Sequence, residues 1–325
     1  MMTKDLSHKL SPDFLKNAVV KADVVEALSL IPTESVHLTF TSPPYFNARD
    51  YAHFPTYQDY LLFLRRTFSE VYRVTKPGRF CIVNTSPIII PRPSRCLSSK
   101  RFPIPYDLHP ILTKMGWEFV DDIVWEKPEA CVKNRCGSFY YHRNPLAYKP
   151  NPVTEMIMVY RRSDNRLIDW NIRQYDKETI QRSKVKTFER TNVWKIAPAK
   201  DRVHSAVFPV DLANKIVRCY SVEGDLLFDP FAGSGTIGVA AIMAQRYFLL
   251  IERNDKYVER AFERFEESRD LTSDVLSPRL LTLESLKEWS EREKTKPKTG
   301  SPGPVHQKNT HTRCGNEEAR LCPAT

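Results

Sequence analysis

Val36-His37-Leu38-Thr39-Phe40-Thr41-Ser42-Pro43-Pro44-Tyr45 joins an apolar run to a proline pair. Val36, Leu38 and Phe40 read as a buried strand. Pro43 and Pro44 end it at once, because proline fixes φ and has no N–H for a ladder. The result is a stiff loop at the carboxyl end of a strand. It carries a small hydroxyl, a backbone carbonyl that no ladder uses, and an aromatic ring. In open α/β sheets, ligands sit outside that edge. Such a loop suits a flat, hydrogen-bonding substrate.

Upstream, Asn17–Val20 reads as a short strand. Asp23 stands at a helix N-cap position, and Val24–Leu30 has helical apolar spacing closed by Pro32. Strand, helix and strand in this order build parallel sheets. Downstream, residues 46–58 are aromatic-rich, Tyr60–Val74 has helical spacing, and Lys76-Pro77-Gly78 stops that helix before a strand at Phe80–Asn84. Residues 87–103 hold Arg92, Arg95, Lys100 and Arg101 with no acidic residue. Following a core strand, they suit phosphate contact near the same sheet edge. Tyr106–Met115 is expected to be helical. Phe119–Glu126 and Glu155–Tyr160 are expected to pair as a hairpin-like excursion. Residues 161–200 then mix 11 Lys and Arg with 5 Asp and Glu, interleaved with Trp170, Tyr175, Phe188 and Trp194. This pattern fits nucleic-acid contact and fits a polar insertion with a small core equally well. A helix at Pro209–Tyr220 leads to a strand at Leu226–Asp229.

A second motif follows: Phe228-Asp229-Pro230-Phe231-Ala232-Gly233-Ser234-Gly235-Thr236. It leaves a strand and opens a helix at Ile237–Ala244. Gly233 and Gly235 lack a Cβ where backbone must turn tightly and admit a ligand. The next strand, Tyr247–Ile251, ends in Glu252, placed to accept hydrogen bonds from ribose hydroxyls; the plainer reading is a surface carboxylate beside Arg253. Asp229 at the strand end would repel a pyrophosphate and suits an ammonium or sulfonium group. That favours S-adenosylmethionine over NAD, and a nicotinamide-linked oxidoreductase is the disfavoured rival.

The 325 residues carry a net charge of +10, compatible with a polyanionic partner. Seven scattered cysteines suggest a reducing compartment. Cys131, Cys136 and His142 lack zinc-knuckle spacing, so no metal site is expected. No signal peptide or long apolar span is found, and a soluble cytoplasmic protein is expected. Residues 1–16 read as a loose arm, and the tail from about 291 as disordered.

Taken together, TSPPY and DPFAGSGT resemble the exocyclic-amino DNA methyltransferases of bacterial restriction–modification systems. The catalytic motif precedes the cofactor motif, which is the family's circularly permuted beta arrangement. The resemblance spans nearly all of residues 17–270. It implies an α/β, Rossmann-like S-adenosylmethionine-dependent sheet with helices on both faces, plus a DNA target-recognition insertion. Residues 17–160 would form the catalytic half, 161–200 the target-recognition region, 201–270 the cofactor half, and 271–325 a C-terminal extension. Ser42, Pro43, Pro44 and Tyr45 would form the catalytic loop. Asp229, Phe231, Gly233, Ser234, Gly235, Thr236 and Glu252 would bind cofactor. His204-Ser205-Ala206-Val207-Phe208-Pro209 resembles the family's H-x-A-x-F-P segment, placing Phe208 and Pro209 at the methionine end. Asp23 would contact the adenine ring, with Ala22 where the family commonly has glycine. Arg92, Arg95, Arg161, Arg162, Arg166, Arg173, Arg182, Lys184 and Arg190 are the candidate DNA contacts. Ser42, where many relatives carry Asp or Asn, implies transfer to cytosine N4, with adenine N6 as the alternative. No Pro-Cys pair exists in the chain, Cys322 preceding Pro323 in the tail, which excludes C5 chemistry. A catalytically idle nucleic-acid-binding relative is the rival of another class. The implied partners are double-stranded DNA and a separately acting restriction endonuclease, and the implied state is monomer or homodimer.

Overall fold

The computed structural model describes residues 12–46, 54–90, 94, 96–97, 99–132, 150–203, 207–269 and 278–295. Its strands are β1 (Ala18–Lys21), β2 (Val36–Thr41), β3 (Thr75–Thr85), β4 (Ile88–Ile90), β5 (Lys100–Phe102), β6 (Trp117–Glu126), β7 (Thr154–Arg162), β8 (Val193–Lys195), β9 (Leu226–Asp229), β10 (Tyr247–Glu252) and β11 (Arg279–Thr282). Its helices are α1 (Val24–Leu30), α2 (Tyr57–Val74), α3 (Ile104–Lys114), α4 (Lys177–Ser183), α5 (Val210–Tyr220), α6 (Thr236–Met243), α7 (Asp255–Arg269) and α8 (Leu283–Thr295).

Nine of these strands form one sheet in the order β11-β1-β10-β9-β2-β3-β7-β6-β8, and β4 and β5 pair separately. Neighbours are parallel except across β7, which runs against both β3 and β6. Strand β9 lies between β10, its successor in the chain, and β2, from near the N-terminus. The switch point of this doubly wound sheet therefore joins distant parts of the chain, as a circular permutation requires.

Successive strand residues face opposite sides, and both sides are covered. Leu226, Phe228, Leu249 and Ile251 pack in one core with residues of α1, α2, α3 and α8. Leu227, Phe248 and Leu250 pack in the other with residues of α5, α6 and α7. Fully parallel strands read as apolar runs for this reason. α2 begins three residues earlier than its apolar period suggests, because Thr56 and Asp59 form a reciprocal capping box.

The parallel register gives the sheet two unlike edges. β1, β2, β3, β9 and β10 all end at the carboxyl edge. The pairs Thr85–Met156 and Glu126–Thr154 bring the end of β6 and the start of β7 there too. The end of β7, where Arg161 pairs with Phe80, lies at the amino edge. Five strand residues separate these levels, about 17 Å.

Two expectations change here. Residues 161–200, expected to read DNA, divide between the two edges: β8 runs parallel to the end of β6 at the carboxyl edge, while the part just after β7 packs at the amino edge. Tyr175 donates to Asp225, the residue before β9, and Asn171 Nδ2 donates to the Pro77 carbonyl at 3.5 Å. Within the C-terminal extension, expected to be disordered from about residue 291, the described residues 278–295 carry one strand and one helix. β11 adds an edge strand parallel to β1, and α8 places Leu286 and Trp289 in the core, with Trp289 stacked on Phe14 at 5.0 Å. The helix signal in 283–295 is weak because only one narrow stripe of it is buried.

Candidate active site

Ser42, Pro43, Pro44 and Tyr45 leave β2 without regular structure and line a cavity of about 300 Å³ at the carboxyl edge. The same cavity is lined by Asp23, Phe231, Gly233 and Glu252. The two motifs, about 190 residues apart in sequence, thus share one space. A side-chain bond ties them together directly beneath it. Thr41 Oγ1 donates to Asp229 Oδ1 at 2.6 Å, and Phe231 N donates to the same oxygen at 3.0 Å. Asp229 is buried beneath the cavity rather than lining it. Burial pushes its carboxyl up to about 7, against the two donors, with the charge of Glu252 adding to the rise.

The glycine loop is held from three sides. From below, Ala232 N donates to the Ile251 carbonyl at 3.0 Å. Beside the cavity, Gly233 N donates to Glu252 Oε2 at 2.8 Å. From behind, Arg264 Nη1 on α7 donates to Ser234 O, Ser234 Oγ and Thr236 Oγ1 at 2.8, 2.9 and 3.0 Å. Gly235 has φ of +75°, and a Cβ there would stand 2.8 Å from Ala261 Cβ. Gly238 completes a G-x-G-x-x-G spacing with Gly233 and Gly235. A Cβ on it would meet Phe265 Cε1 at 2.5 Å. Both Gly235 and Gly238 let α6 lie close against α7, so Ser234, Gly235 and Thr236 shape the loop while Phe231 and Gly233 face the cavity.

Glu252 is a wall of the site. Its Oε2 takes the Gly233 N–H, and its Oε1 takes the N–H groups of Arg253 and Asn254 at 2.9 and 2.8 Å. Burial raises its pKa, and these donors and Arg253 oppose the rise. A carboxylate offers about four lone-pair directions, so the side chain is anchored and still able to accept.

Asp23 caps α1, its Oδ1 accepting from Val25 N at 2.9 Å, and also lines the cavity. Phe208 and Pro209 sit beside the site rather than in it: the Phe208 ring lies 5.0 Å from that of Phe40, and Pro209 caps α5. Arg92, Arg95, Cys136, His142 and 204–206 lie outside the described residues. Among the described residues no cluster able to hold a metal is present, and no helix is long and apolar enough to cross a membrane.

The arginines expected to read DNA do not converge on the cavity. Arg161 is buried and paired with Asp164 at 2.6 Å, also donating to the Arg166 carbonyl. Arg162 donates to the Thr75 carbonyl and to Glu34 Oε1. Arg182 Nε donates to Glu223 Oε2 at 2.8 Å. All three make structural ties at the amino edge. Arg166 and Arg173 flank the Trp170 ring in the same segment. Lys184 and Arg190 are exposed.

The sequence reading missed Arg264 and the aromatic walls Phe54, Phe63 and Tyr257. Arg264 is one of several charges on an amphipathic helix, and only its closeness in space to Ser234 singles it out.

Comparison with known proteins bears on the family and the fold. M.Cfr9I of Citrobacter freundii, named as a type II methyltransferase, is 27% identical over 288 residues, covering 80% of this chain and 91% of its own. M.BslI of Bacillus sp. (strain NEB-606), named as a type II beta methyltransferase, is 27% identical over 260 residues; the match covers 76% of this chain and 27% of that larger protein. TTHA0409 of Thermus thermophilus, named as a putative DNA modification methylase and solved with S-adenosyl-L-methionine, superposes with a TM-score of 0.62 at 26% identity, covering 81% of this chain and 99% of that one. The PvuII DNA methyltransferase, at 18% identity and a TM-score of 0.58, shares the fold. The DNA methylase family model matches residues 36–263, from the first residue of β2 to the middle of α7, and the chain belongs to that family.

Proposed function

We propose that the protein transfers a methyl group from S-adenosyl-L-methionine to the exocyclic N4 amine of a cytosine flipped out of duplex DNA, as the modification enzyme of a restriction–modification system. One observation carries this reading: the Ser42–Tyr45 loop and the Phe231–Gly233–Glu252 wall share one cavity.

The residues present fit the cofactor. Phe231, Ile251 and Tyr257 offer apolar surface to a planar ring, and Glu252 offers an anchored acceptor to a ribose diol. When bound, the cofactor supplies the activated methyl group. The protein's own task is to prepare the amine. An exocyclic amine conjugated with its ring is a poor nucleophile. Ser42 Oγ and the Pro43 carbonyl accept its two N–H bonds and draw the lone pair out of conjugation. Proline at 43 and 44 fixes those acceptors in advance, which is preorganised electrostatics. The base has to leave the stack to reach them. The Tyr45 ring stacks on it there, a contact worth about 1–3 kcal/mol. DNA approaches the carboxyl edge, where the β4–β5 hairpin presents exposed Lys100 and Arg101. Cytosine over adenine rests on Ser42.

The test is in vitro methylation of duplex DNA with labelled S-adenosyl-L-methionine, followed by mass analysis of nucleosides and methylation-sensitive sequencing. N4-methylcytosine in a defined motif is expected, and N6-methyladenine would replace the cytosine assignment. Ser42→Ala is expected to lose roughly 100-fold or more in rate, the order seen when one preorganised donor or acceptor is removed, while cofactor binding persists. Full activity in that variant sinks the mechanism.

A further inference from the structure

Beside the catalytic loop, three strands bring together side chains that the transfer just described does not use. β3 ends in Asn84-Thr85 and is followed by Ser86, β6 is followed by Lys127, and β7 carries Glu155 near its start. The antiparallel register of β7 between β3 and β6 gathers them at one level of the carboxyl edge. Glu155 Oε2 accepts from Asn84 Nδ2 at 2.6 Å, and Oε1 is paired with the Lys127 ammonium. Lys127 is itself seated 4.6 Å over the Trp125 ring, whose indole N–H donates to the Ile196 carbonyl at 2.8 Å. Glu155 and Lys127 side chains are only 15% and 19% exposed. Neither charge would be stable there unpaired. Mutual pairing and the Asn84 amide fix the carboxylate in place.

The carboxylate faces Tyr45. The Tyr45 hydroxyl lies 3.4 Å from Glu155 Oε2 and 3.4 Å from Ser86 Oγ. Both contacts are long for O–H···O bonds, as is common before a site is filled. We propose that Glu155 is a positioning residue. It accepts the Tyr45 hydroxyl proton in a hydrogen bond, Ser86 donates to the phenol oxygen from the other side, and together they set the plane on which the substrate base stacks. This rests on the functional reading above. Glu155 touches neither base nor cofactor and acts through the ring, while Lys127 and Asn84 act on Glu155.

A double-mutant cycle on single-turnover methylation tests it, with Glu155→Gln, Tyr45→Phe and the pair. Each single variant is expected to lose roughly tenfold in rate, the scale of a hydrogen bond to a charged group. The pair is expected to lose no more than either alone, with KM for S-adenosyl-L-methionine unchanged throughout. With 2-aminopurine at the target position of the motif found by sequencing, both singles are expected to fluoresce more brightly than wild type in the complex, because the extruded base is less stacked. Independent multiplication of the two losses, or a fully active Glu155→Gln, overturns the proposal while leaving the methyltransferase reading intact. Should Glu155→Gln fail to fold, Tyr45→Phe alone decides: full rate with wild-type fluorescence overturns it. No transfer by the wild-type protein overturns the functional reading, and this proposal with it.

Discussion

Asp229 shows how a residue chosen for its charge can hold its place by burial. Its folded pKa, about 7, is raised above the ordinary carboxylate value by desolvation, with Glu252 adding to the rise. Between those two values the folded state binds more protons than the unfolded chain. The contribution to stability is therefore full at low pH and is lost as pH rises through about 7. Both native donors, Thr41 Oγ1 and Phe231 N, reach Oδ1, an oxygen that asparagine retains. Asp229→Asn is expected to exceed wild type in melting temperature by a gap that is already open near about pH 5, above the ordinary carboxylate value, and wider at about pH 8. Thermal denaturation across that range, without cofactor, checks this. An equal gap at both pH values would show that Asp229 is ionised throughout. A cation bound nearby would pull the pKa down again, so the gap on the alkaline side is expected to shrink when S-adenosyl-L-methionine is added. Glu252 was legible as an acceptor from its place after an apolar strand. That it also ties the glycine loop through Gly233 N was not, because that bond spans a chain reversal.

The element that governs the cofactor wall is α7. Arg264 grips Ser234 and Thr236, and the Ala261–Phe265 face fills the space that Gly235 and Gly238 leave open. Gly238→Ala would bring a methyl group 2.5 Å from Phe265 Cε1 with Leu250 Cδ1 on another side. Overpacking of this kind costs about 1–3 kcal/mol, to be read from denaturant unfolding. Arg264→Ala removes three bonds from the loop and none from the cavity floor. It is expected to weaken cofactor binding by about tenfold, the scale of a single net hydrogen bond, measured by calorimetry, with a smaller change in melting temperature. Equal binding would show that the loop keeps its shape unaided. The helices themselves were readable from their period, since α1, α2, α5 and α6 appear within a few residues of their expected bounds. Which helix supports which loop was not, because period fixes a face and not its partner.

For the whole molecule, the two sheet edges divide the work. The carboxyl edge carries the cavity, the β4–β5 hairpin and the Glu155 cluster. The amino edge carries the end of β7 and the part of the chain just after it, where Arg161 and Asp164 are each 7% exposed and paired. Arg161→Ala leaves a buried carboxylate uncompensated and is expected to cost about 3–5 kcal/mol of stability. Arg182→Ala, at the same edge, is expected to leave DNA affinity unchanged. Lys100→Ala with Arg101→Ala is expected to weaken DNA binding across all sequences. It should also lower the slope of log affinity against log salt by about 2, one counterion per phosphate contact. Fluorescence anisotropy over a salt series separates these outcomes. A flatter slope for Arg182→Ala would return the amino edge to the DNA interface. The sequence alone determined the strands β1, β2, β3, β6, β7, β9 and β10, the proline-stopped loop, the glycine turn and the permuted order of the two motifs. Those are local patterns, set by periodicity, proline and glycine over a few neighbouring residues. The tertiary structure alone decided where the basic residues go. Arg161 and Lys100 are equally basic on paper, and one is buried at the far edge while the other is exposed on the β4–β5 ladder. Strand direction makes that choice: β7 runs antiparallel to β3, so whatever follows it emerges about 17 Å from the site that precedes it.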